Sequence, residues 1–209
     1  TQYARNAIFA GLMPLQIKQM YPDLWVDEEE DEGKNLNEQA LIAHQLERFR
    51  RREQFTYHKL NDSQAVSQLL TQIKQFAATP LNVLVINFID ILSHARTESR
   101  MVRELAGSEG AYRGITQSWF KQLAELDYDL IITTDHGSIK VDQPSKVVGD
   151  RNVNTNLRYK LGRNLSYNAK DVYEVREPKA LLLPQPNLST ANIFATSNRF
   201  FAYPNNYNH

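Results

Sequence analysis

Two short apolar runs, each followed by an aspartate and a histidine, constrain the fold of this chain more than any other feature. The first run spans Leu81 to Phe88 and the second spans Asp129 to Thr134. Runs of this length and strand composition, bounded by turn residues, are typical of strands that are buried on both faces. The sequence therefore predicts two buried strands of a central sheet.

Helical patterns alternate with these runs. Apolar spacing and end signals predict helices over Thr1 to Gly11, Asn35 to Arg52, Ser63 to Ala78 and Gly110 to Glu125. Alternation of this kind predicts an α/β fold with a mainly parallel central sheet. From Ile139 onward, short β-like pieces separated by Pro, Asn and Gly predict a β-rich C-terminal extension. The acidic run Asp27 to Glu32 and the helix after it are expected to form a surface insertion.

Composition limits the function classes. A length of 209 residues predicts one domain. The chain carries 24 Lys plus Arg and 24 Asp plus Glu, and this balanced charge argues against a generic nucleic-acid coat or membrane-surface protein. The chain has no cysteine, so disulfide scaffolds, thiolate zinc sites and cysteine nucleophiles are excluded. The apolar runs are too short and too interrupted to cross a bilayer. His, Asp and Glu remain as strong metal ligands.

An aspartate and a histidine follow each predicted strand. Asp90 and His94 come after the first, and Asp135 and His136 come directly after the second. Because ligands of parallel sheets bind at the carboxyl ends of strands, we expect both pairs at one edge. Either residue alone at a strand end is more often structural, but the repeated pair favours a site for two divalent ions. Such a pair of ions suits phosphoryl transfer.

Thr1 is the candidate nucleophile. A hydroxyl at a helix N-terminus lies where backbone N–H groups and the helix dipole favour a phosphate, and a metal would activate it. A simple N-cap threonine is the alternative. Because a helix cap is an unusual place for a protein to begin, we expect residues before Thr1 in a longer natural protein.

The stretch Arg151 to Lys170 is the candidate substrate surface. It carries five basic residues, no acidic residue and two tyrosines, a composition that suits phosphate contacts and base stacking. We take Arg151, Arg158 and Lys160 as the candidate substrate-binding residues. A solvated loop is the alternative.

These motifs together resemble the alkaline phosphatase superfamily. Its nucleophile likewise opens a helix that runs to a glycine, and its two zinc sites use an Asp-x-x-x-His pair and an Asp-His pair. Within this superfamily, the sequence is most similar to the PglZ domain, and in particular to the effector domain of PorX-type response regulators linked to type IX secretion. The similarity lies in three segments, Thr1 to Ala7, Asn87 to Asp90 and Asn156 to Lys160.

The resemblance implies a three-layer α/β/α fold and two zinc ions. Thr1 would be the nucleophile and would bind one zinc together with Asp135 and His136, while Asp90 and His94 would hold the other. The family's first Asp ligand and last His ligand have no counterpart here. The resemblance therefore implies a fragment, over 1–209, that lacks the first strand and the C-terminal end.

The function implied by the resemblance is a cytoplasmic, zinc-dependent phosphodiesterase or phosphatase that acts on oligonucleotide-type phosphodiesters. Its implied partners are a receiver domain of the same longer protein, a second copy in a homodimer, and secretion-system or sigma-factor proteins. A zinc-stabilised signalling module with weak catalysis remains the alternative. An N-terminal threonine hydrolase is disfavoured, because its nucleophile usually lies on a strand and Thr1 opens a helix.

Overall fold

The computed structural model describes residues 2–26, 35–76, 78–87, 117, 120–137, 139–149, 156–185 and 191–202. The chain divides into two compact units. The first unit comprises Thr1–Gln45 with Thr134–His209, and the second comprises Leu46–Thr133. No helix in the described ranges is both long enough and apolar enough to cross a membrane.

The second unit is built on a strand, helix, strand crossover. Strand β1 (Phe55–Leu60) pairs in parallel with β2 (Leu81–Ile86), and helix α4 (Ser63–Phe76) connects them. The predicted strand is thus confirmed over Leu81–Ile86, and the predicted helix over Ser63–Phe76. Residues 117 and 120–124 are also helical, in agreement with the helix predicted there.

Helix α4 forms because its first turn is capped and one of its faces is apolar. The Asp62 carboxylate accepts a hydrogen bond from the backbone N–H of Ala65 at 2.7 Å, which satisfies a donor that the helix itself cannot satisfy. On the inner face, Leu69, Ile73 and Phe76 are buried against Leu60 of β1. This cluster is the core of the second unit.

The predicted strand over Asp129 to Thr134 is wrong. These residues are irregular, and the Ile131 side chain is 86% exposed. Strand propensity reflects packing against neighbouring strands, so an apolar run without a pairing partner does not become a strand.

The N-terminal part of the first unit is helical. Helices α1 (Gln2–Ala10), α2 (Pro14–Met20) and α3 (Glu38–Arg48) follow one another, with a short 3-10 helix, Pro22–Leu24, before α3. Gly11 ends α1 at φ +59°, the left-handed conformation that favours glycine.

Helix α3 is part of this core rather than a surface insertion. Its Leu41 is completely buried in a cluster with Ala10, Ile17 and Trp25. The helix is also shorter at both ends than the predicted range from Asn35 to Arg52. The Asn37 side-chain amide donates to the Leu24 carbonyl at 3.2 Å and holds the start of α3 against the preceding turn.

The C-terminal part of the first unit is β-rich, as predicted. Its strands are β3 (Gln143–Val148), β4 (Tyr159–Gly162), β5 (Ser166–Tyr167), β6 (Val172–Val175), β7 (Ala191–Ala195) and β8 (Arg199–Ala202). They form two three-stranded sheets of order β5-β3-β8 and β4-β7-β6. Val147, Ile193, Ala195 and Phe201 bury their side chains in a common core.

The α/β class is therefore supported, but the described strands do not clearly form one central sheet. The β1–β2 pair is parallel, the β4-β7-β6 sheet is antiparallel, and the β5-β3-β8 sheet is mixed. Each sheet contains two or three strands within the described residues.

Candidate functional site

Asp135 and His136 bring a carboxylate oxygen and an imidazole nitrogen, two atoms of types that bind metals, close together at the surface of the first unit. The Asp135 carboxylate Oδ1 lies 3.7 Å from His136 Nε2. The side chains are 19% and 42% exposed, so a solute can reach both. The two residues are adjacent in an irregular segment, so their Cα atoms are necessarily close, and the side-chain conformations bring the donor atoms together.

The backbone around this pair is held by local contacts. The Thr134 hydroxyl donates to the carbonyl of His136 at 2.6 Å, which closes the segment into a tight turn. On the imidazole, Nδ1 lies 3.4 Å from the Gly137 carbonyl oxygen. A proton on Nδ1 suits that contact and places the lone pair on Nε2, the nitrogen that faces Asp135.

This spacing fits a zinc ion. Two ligands of a tetrahedral zinc, each about 2.1 Å from the metal, are about 3.4 Å apart. The 3.7 Å between the Asp135 and His136 donor atoms is close to that value. Carboxylate oxygen and imidazole nitrogen are also ligand types that zinc accepts. The donor set and its spacing therefore suit the ion that the sequence predicts.

The Asp135 carboxylate binds a metal in its ionised form. Its side chain keeps contact with water, and an aspartate in contact with water is an anion at neutral pH.

Three of the predicted metal-site residues, Thr1, Asp90 and His94, lie outside the described residues, as does the predicted substrate residue Arg151. Within the described ranges, no group of three or more His, Asp or Glu side chains is arranged to hold a metal. The pair Asp135 and His136 is therefore the described portion of the predicted site, and the assignment of the other residues remains a prediction.

Arg158 lies just before β4 and braces the turn between β7 and β8. Its Nη1 donates to the carbonyls of Ser197 at 2.6 Å and Arg199 at 2.7 Å. A guanidinium has five N–H donors, so these contacts fix its position and account for two of its hydrogen bonds. Its contact with substrate remains a prediction.

Lys160 lies on β4 rather than in a solvated loop. Its side chain is buried, and its backbone is paired opposite Ile193 of β7. Burial lowers the pKa of its ammonium group, since a charge is less stable away from water. Lys160 is thus placed by the sheet, and a role in phosphate binding remains a prediction.

Two asparagines at the carboxyl end of the β1–β2 sheet were not predicted as part of a site. The Asn87 side-chain amide donates to Asn61 Oδ1 at 2.9 Å, which ties the ends of β2 and β1 together. In the sequence, Asn87 precedes the predicted ligand Asp90 by three residues. In the sequence, Asn61 directly follows β1 and Asn87 directly follows β2, and a polar residue at that position after a strand could have indicated this pair.

Comparison with known protein families decides the classification. The model of the PglZ family, described as the BREX system PglZ alkaline phosphatase-like domain, matches residues 1–209. The chain belongs to the PglZ family. No curated protein matches it significantly.

PglZ family membership confirms the resemblance drawn from the Thr1, Asp90, His94, Asp135 and His136 motifs at the level of the family. An alkaline phosphatase-like domain suggests a phosphoesterase-like function and hydrolase activity. Because function resides in sites rather than in folds, the particular reaction of this PglZ domain depends on its own side chains.

Proposed function

We propose that this PglZ domain is a zinc-dependent phosphodiesterase or phosphatase. The observation that carries the proposal is the Asp135–His136 pair, whose donor atoms are 3.7 Å apart in a chain that belongs to an alkaline phosphatase-like family. Asp135 and His136 would hold one zinc together with Thr1, and Asp90 and His94 would hold the second. Bound zinc supplies positive charge that stabilises a phosphoryl group undergoing transfer.

In this proposal Thr1 is the nucleophile. Its hydroxyl oxygen attacks phosphorus, a new P–O bond forms to Thr1, and the bond to the leaving oxygen breaks, so that the proton lost by the threonine hydroxyl balances the one gained by the leaving alcohol. Water then attacks the same phosphorus, the bond to Thr1 breaks, and one proton of that water restores the threonine hydroxyl while its oxygen stays on the phosphate product. Helix α1 favours this chemistry, because its dipole directs partial positive charge towards an incoming phosphate and no acidic residue lies in its first turn.

The proposed substrates are oligonucleotide-type phosphodiesters, with Arg151, Arg158 and Lys160 contacting phosphates. We further propose that the domain is the cytoplasmic effector of a two-component response regulator of the PorX type, linked to type IX secretion. A receiver domain in the same longer protein would control its activity through dimerisation. Secretion-system or sigma-factor proteins are the proposed downstream partners.

Chelation and metal restoration test the proposal. The purified longer protein should hydrolyse a nitrophenyl phosphodiester, lose that activity to a chelator and regain it with zinc. Asp135→Asn and His136→Gln should bind zinc more weakly and lose most turnover. His44→Gln is the matched control, since His44 stacks on the Tyr21 ring at 4.5 Å within the helical core.

The variant Thr1→Ala separates catalysis from metal binding. It should abolish turnover while zinc content falls only partly, because Thr1 is one of several proposed ligands. Undiminished turnover in Thr1→Ala would remove Thr1 from the mechanism. Full zinc occupancy in the unmodified protein without turnover of any of several phosphoesters would instead favour the alternative, a zinc-stabilised signalling module.

A further inference from the structure

Three aromatic side chains form a row across the β4-β7-β6 sheet. Phe194 of the central strand β7 is the register partner of Tyr159 on β4 and of Tyr173 on β6. Directly opposed residues of an antiparallel sheet project from the same face. The ring centroid of Phe194 lies 5.0 Å from that of Tyr159 and 6.5 Å from that of Tyr173. We call these three rings the aromatic row.

The aromatic row lies on the outer face of its sheet. The neighbours of Phe194 along β7, Ile193 and Ala195, are buried in the core that this sheet shares with β3 and β8. Successive side chains of a strand point to opposite faces, so Phe194 and its two register partners project away from that core. Tyr173 is 61% exposed, and its ring is therefore open to a ligand from solution.

The other end of the aromatic row is held in a fixed orientation. The Tyr159 hydroxyl donates a hydrogen bond to Asn192 Oδ1 at 2.8 Å. Asn192 is almost completely buried on the central strand, so the sheet fixes its position. Groups that are already ordered lose little conformational freedom when they bind a ligand. The row is therefore a preorganised surface of planar rings.

The segment that forms this sheet is basic, although the whole chain is neutral. Residues 156–202 carry seven basic and three acidic side chains, whereas the complete chain carries 24 of each. Two of the three acidic side chains are already paired. Glu174 Oε2 lies 3.0 Å from Arg176 Nε, and Asp171 Oδ1 lies 3.4 Å from Arg199 Nε. The excess of positive charge is complementary to a polyanion.

We propose that the aromatic row stacks on the bases of a single-stranded oligonucleotide, with Tyr173 taking the most accessible base. The inference rests on the proposed function, since it adds a base-binding surface to an enzyme of oligonucleotide-type phosphodiesters. Proteins that bind single strands without sequence preference combine positive charge for the backbone with aromatic rings for the bases, because every base has a planar face. The bases of a duplex are already stacked on one another, so the row selects unpaired strands.

Fluorescence anisotropy tests this inference. The full chain is titrated into a labelled single strand of about 12 nucleotides, whose phosphorothioate linkages resist hydrolysis. One stacked base contributes about 5–150-fold to affinity, so Tyr173→Ala should weaken binding by at least about 5-fold. Tyr173→Phe keeps the ring and should bind within about 2-fold of the unmodified protein.

A matched control and two other ligands separate stacking from general damage. Phe120→Ala removes another exposed aromatic ring, outside the aromatic row, and should leave the affinity unchanged. An abasic strand of equal charge should bind Tyr173→Ala and the unmodified protein equally, because it offers phosphates without bases. A duplex should likewise bind both proteins equally. The salt dependence of single-strand binding should be the same for both, since their phosphate contacts are the same.

The outcomes distinguish this inference from the proposed function. Equal binding of the single strand by Tyr173→Ala and the unmodified protein would overturn the role of the aromatic row, while turnover of a nitrophenyl phosphodiester would leave the phosphoesterase intact. A loss in Tyr173→Ala that is as large for the abasic strand would also refute stacking. Binding that depends on Tyr173, in a protein without turnover in zinc, would overturn the proposed function alone. If Tyr173→Ala does not fold, Tyr173→Leu decides, because it keeps an apolar side chain without a planar ring.

Discussion

The Asp171 carboxylate joins three segments of the first unit, and its removal is expected to destabilise the fold measurably. Asp171 Oδ2 accepts a hydrogen bond from the Ser145 hydroxyl of β3 at 3.0 Å. Its Oδ1 lies 3.4 Å from Arg199 Nε of β8. Its backbone carbonyl also accepts from the Thr196 N–H at 3.1 Å, a bond that survives any change of side chain.

The expected cost follows from the burial of these partners. The Ser145 side chain is almost completely buried, so its hydroxyl would lose its carboxylate partner without regaining water. A hydrogen bond to a charged group contributes about 1.5–3 kcal/mol. The Arg199 pair is partly exposed and adds about 0.2–1 kcal/mol. Asp171→Ala should therefore lower the free energy of unfolding by about 2–4 kcal/mol.

Urea unfolding followed by circular dichroism measures this cost, and a double-mutant cycle assigns it. Asp171→Ala, Ser145→Ala and the double variant should show a coupling free energy of about 1.5 kcal/mol or more. Asp142→Ala is the control, because Asp142 is exposed and its partner is Asn198 on the surface. A coupling indistinguishable from zero would refute the assignment of the cost to this hydrogen bond.

Three further predictions concern other parts of the fold. Gly11→Ala should destabilise the protein by about 1–2 kcal/mol in urea, since a side chain is strained at φ +59°, and an unchanged midpoint would contradict this. Tyr128→Phe should cost about 1–2 kcal/mol in the same assay, because the hydroxyl donates to the Thr79 carbonyl at 2.6 Å; no loss would show that water replaces it. Hydrogen bonds from Arg176 and Tyr167 lower the pKa of Glu174 below its ordinary 4.5, so Glu174 stabilises the fold above that pH and less as pH falls. Acid titration should show this loss in the unmodified protein and a smaller one in Glu174→Gln.

Local signals predicted the parts of the fold that depend on local interactions. Helix α4 has a capping aspartate and an apolar face, and both are visible in the sequence. Strand β1 was missed because Thr56, His58 and Lys59 interrupt its apolar residues, and its stability comes from pairing with β2. Such pairing is a property of the tertiary fold rather than of the segment.

The same physical reason explains the errors in the opposite direction. Residues 129–134 have strand composition but pair with no strand among the residues that the structure describes, and they are irregular. Helix α3 was expected on the surface because its neighbours are acidic, yet Leu41 and Glu38 are buried by α1 and α2 residues that are distant in sequence. Composition alone does not reveal which face of such a helix finds a partner.

Asp135 and His136 are adjacent in sequence, so their Cα atoms are close in any fold. The side-chain conformations bring the two donor atoms to 3.7 Å, and their role as metal ligands remains a prediction. The ion pair between Arg5 and Glu38 joins α1 and α3, and no sequence pattern predicts it. The sequence predicts one basic surface from Arg151 to Lys170. In the structure, Lys160 is buried within a sheet, and Arg158 donates a hydrogen bond to the turn between β7 and β8.

An anomalous-scattering map recorded at the zinc edge, on crystals of the protein grown with zinc, tests the central claim most directly. The proposed site predicts one strong peak between Asp135 Oδ1 and His136 Nε2 and a second beside Asp90 and His94. A map without a peak at Asp135 and His136, from protein shown by elemental analysis to have been exposed to excess zinc, would contradict the metal-dependent phosphoesterase proposed for this PglZ domain.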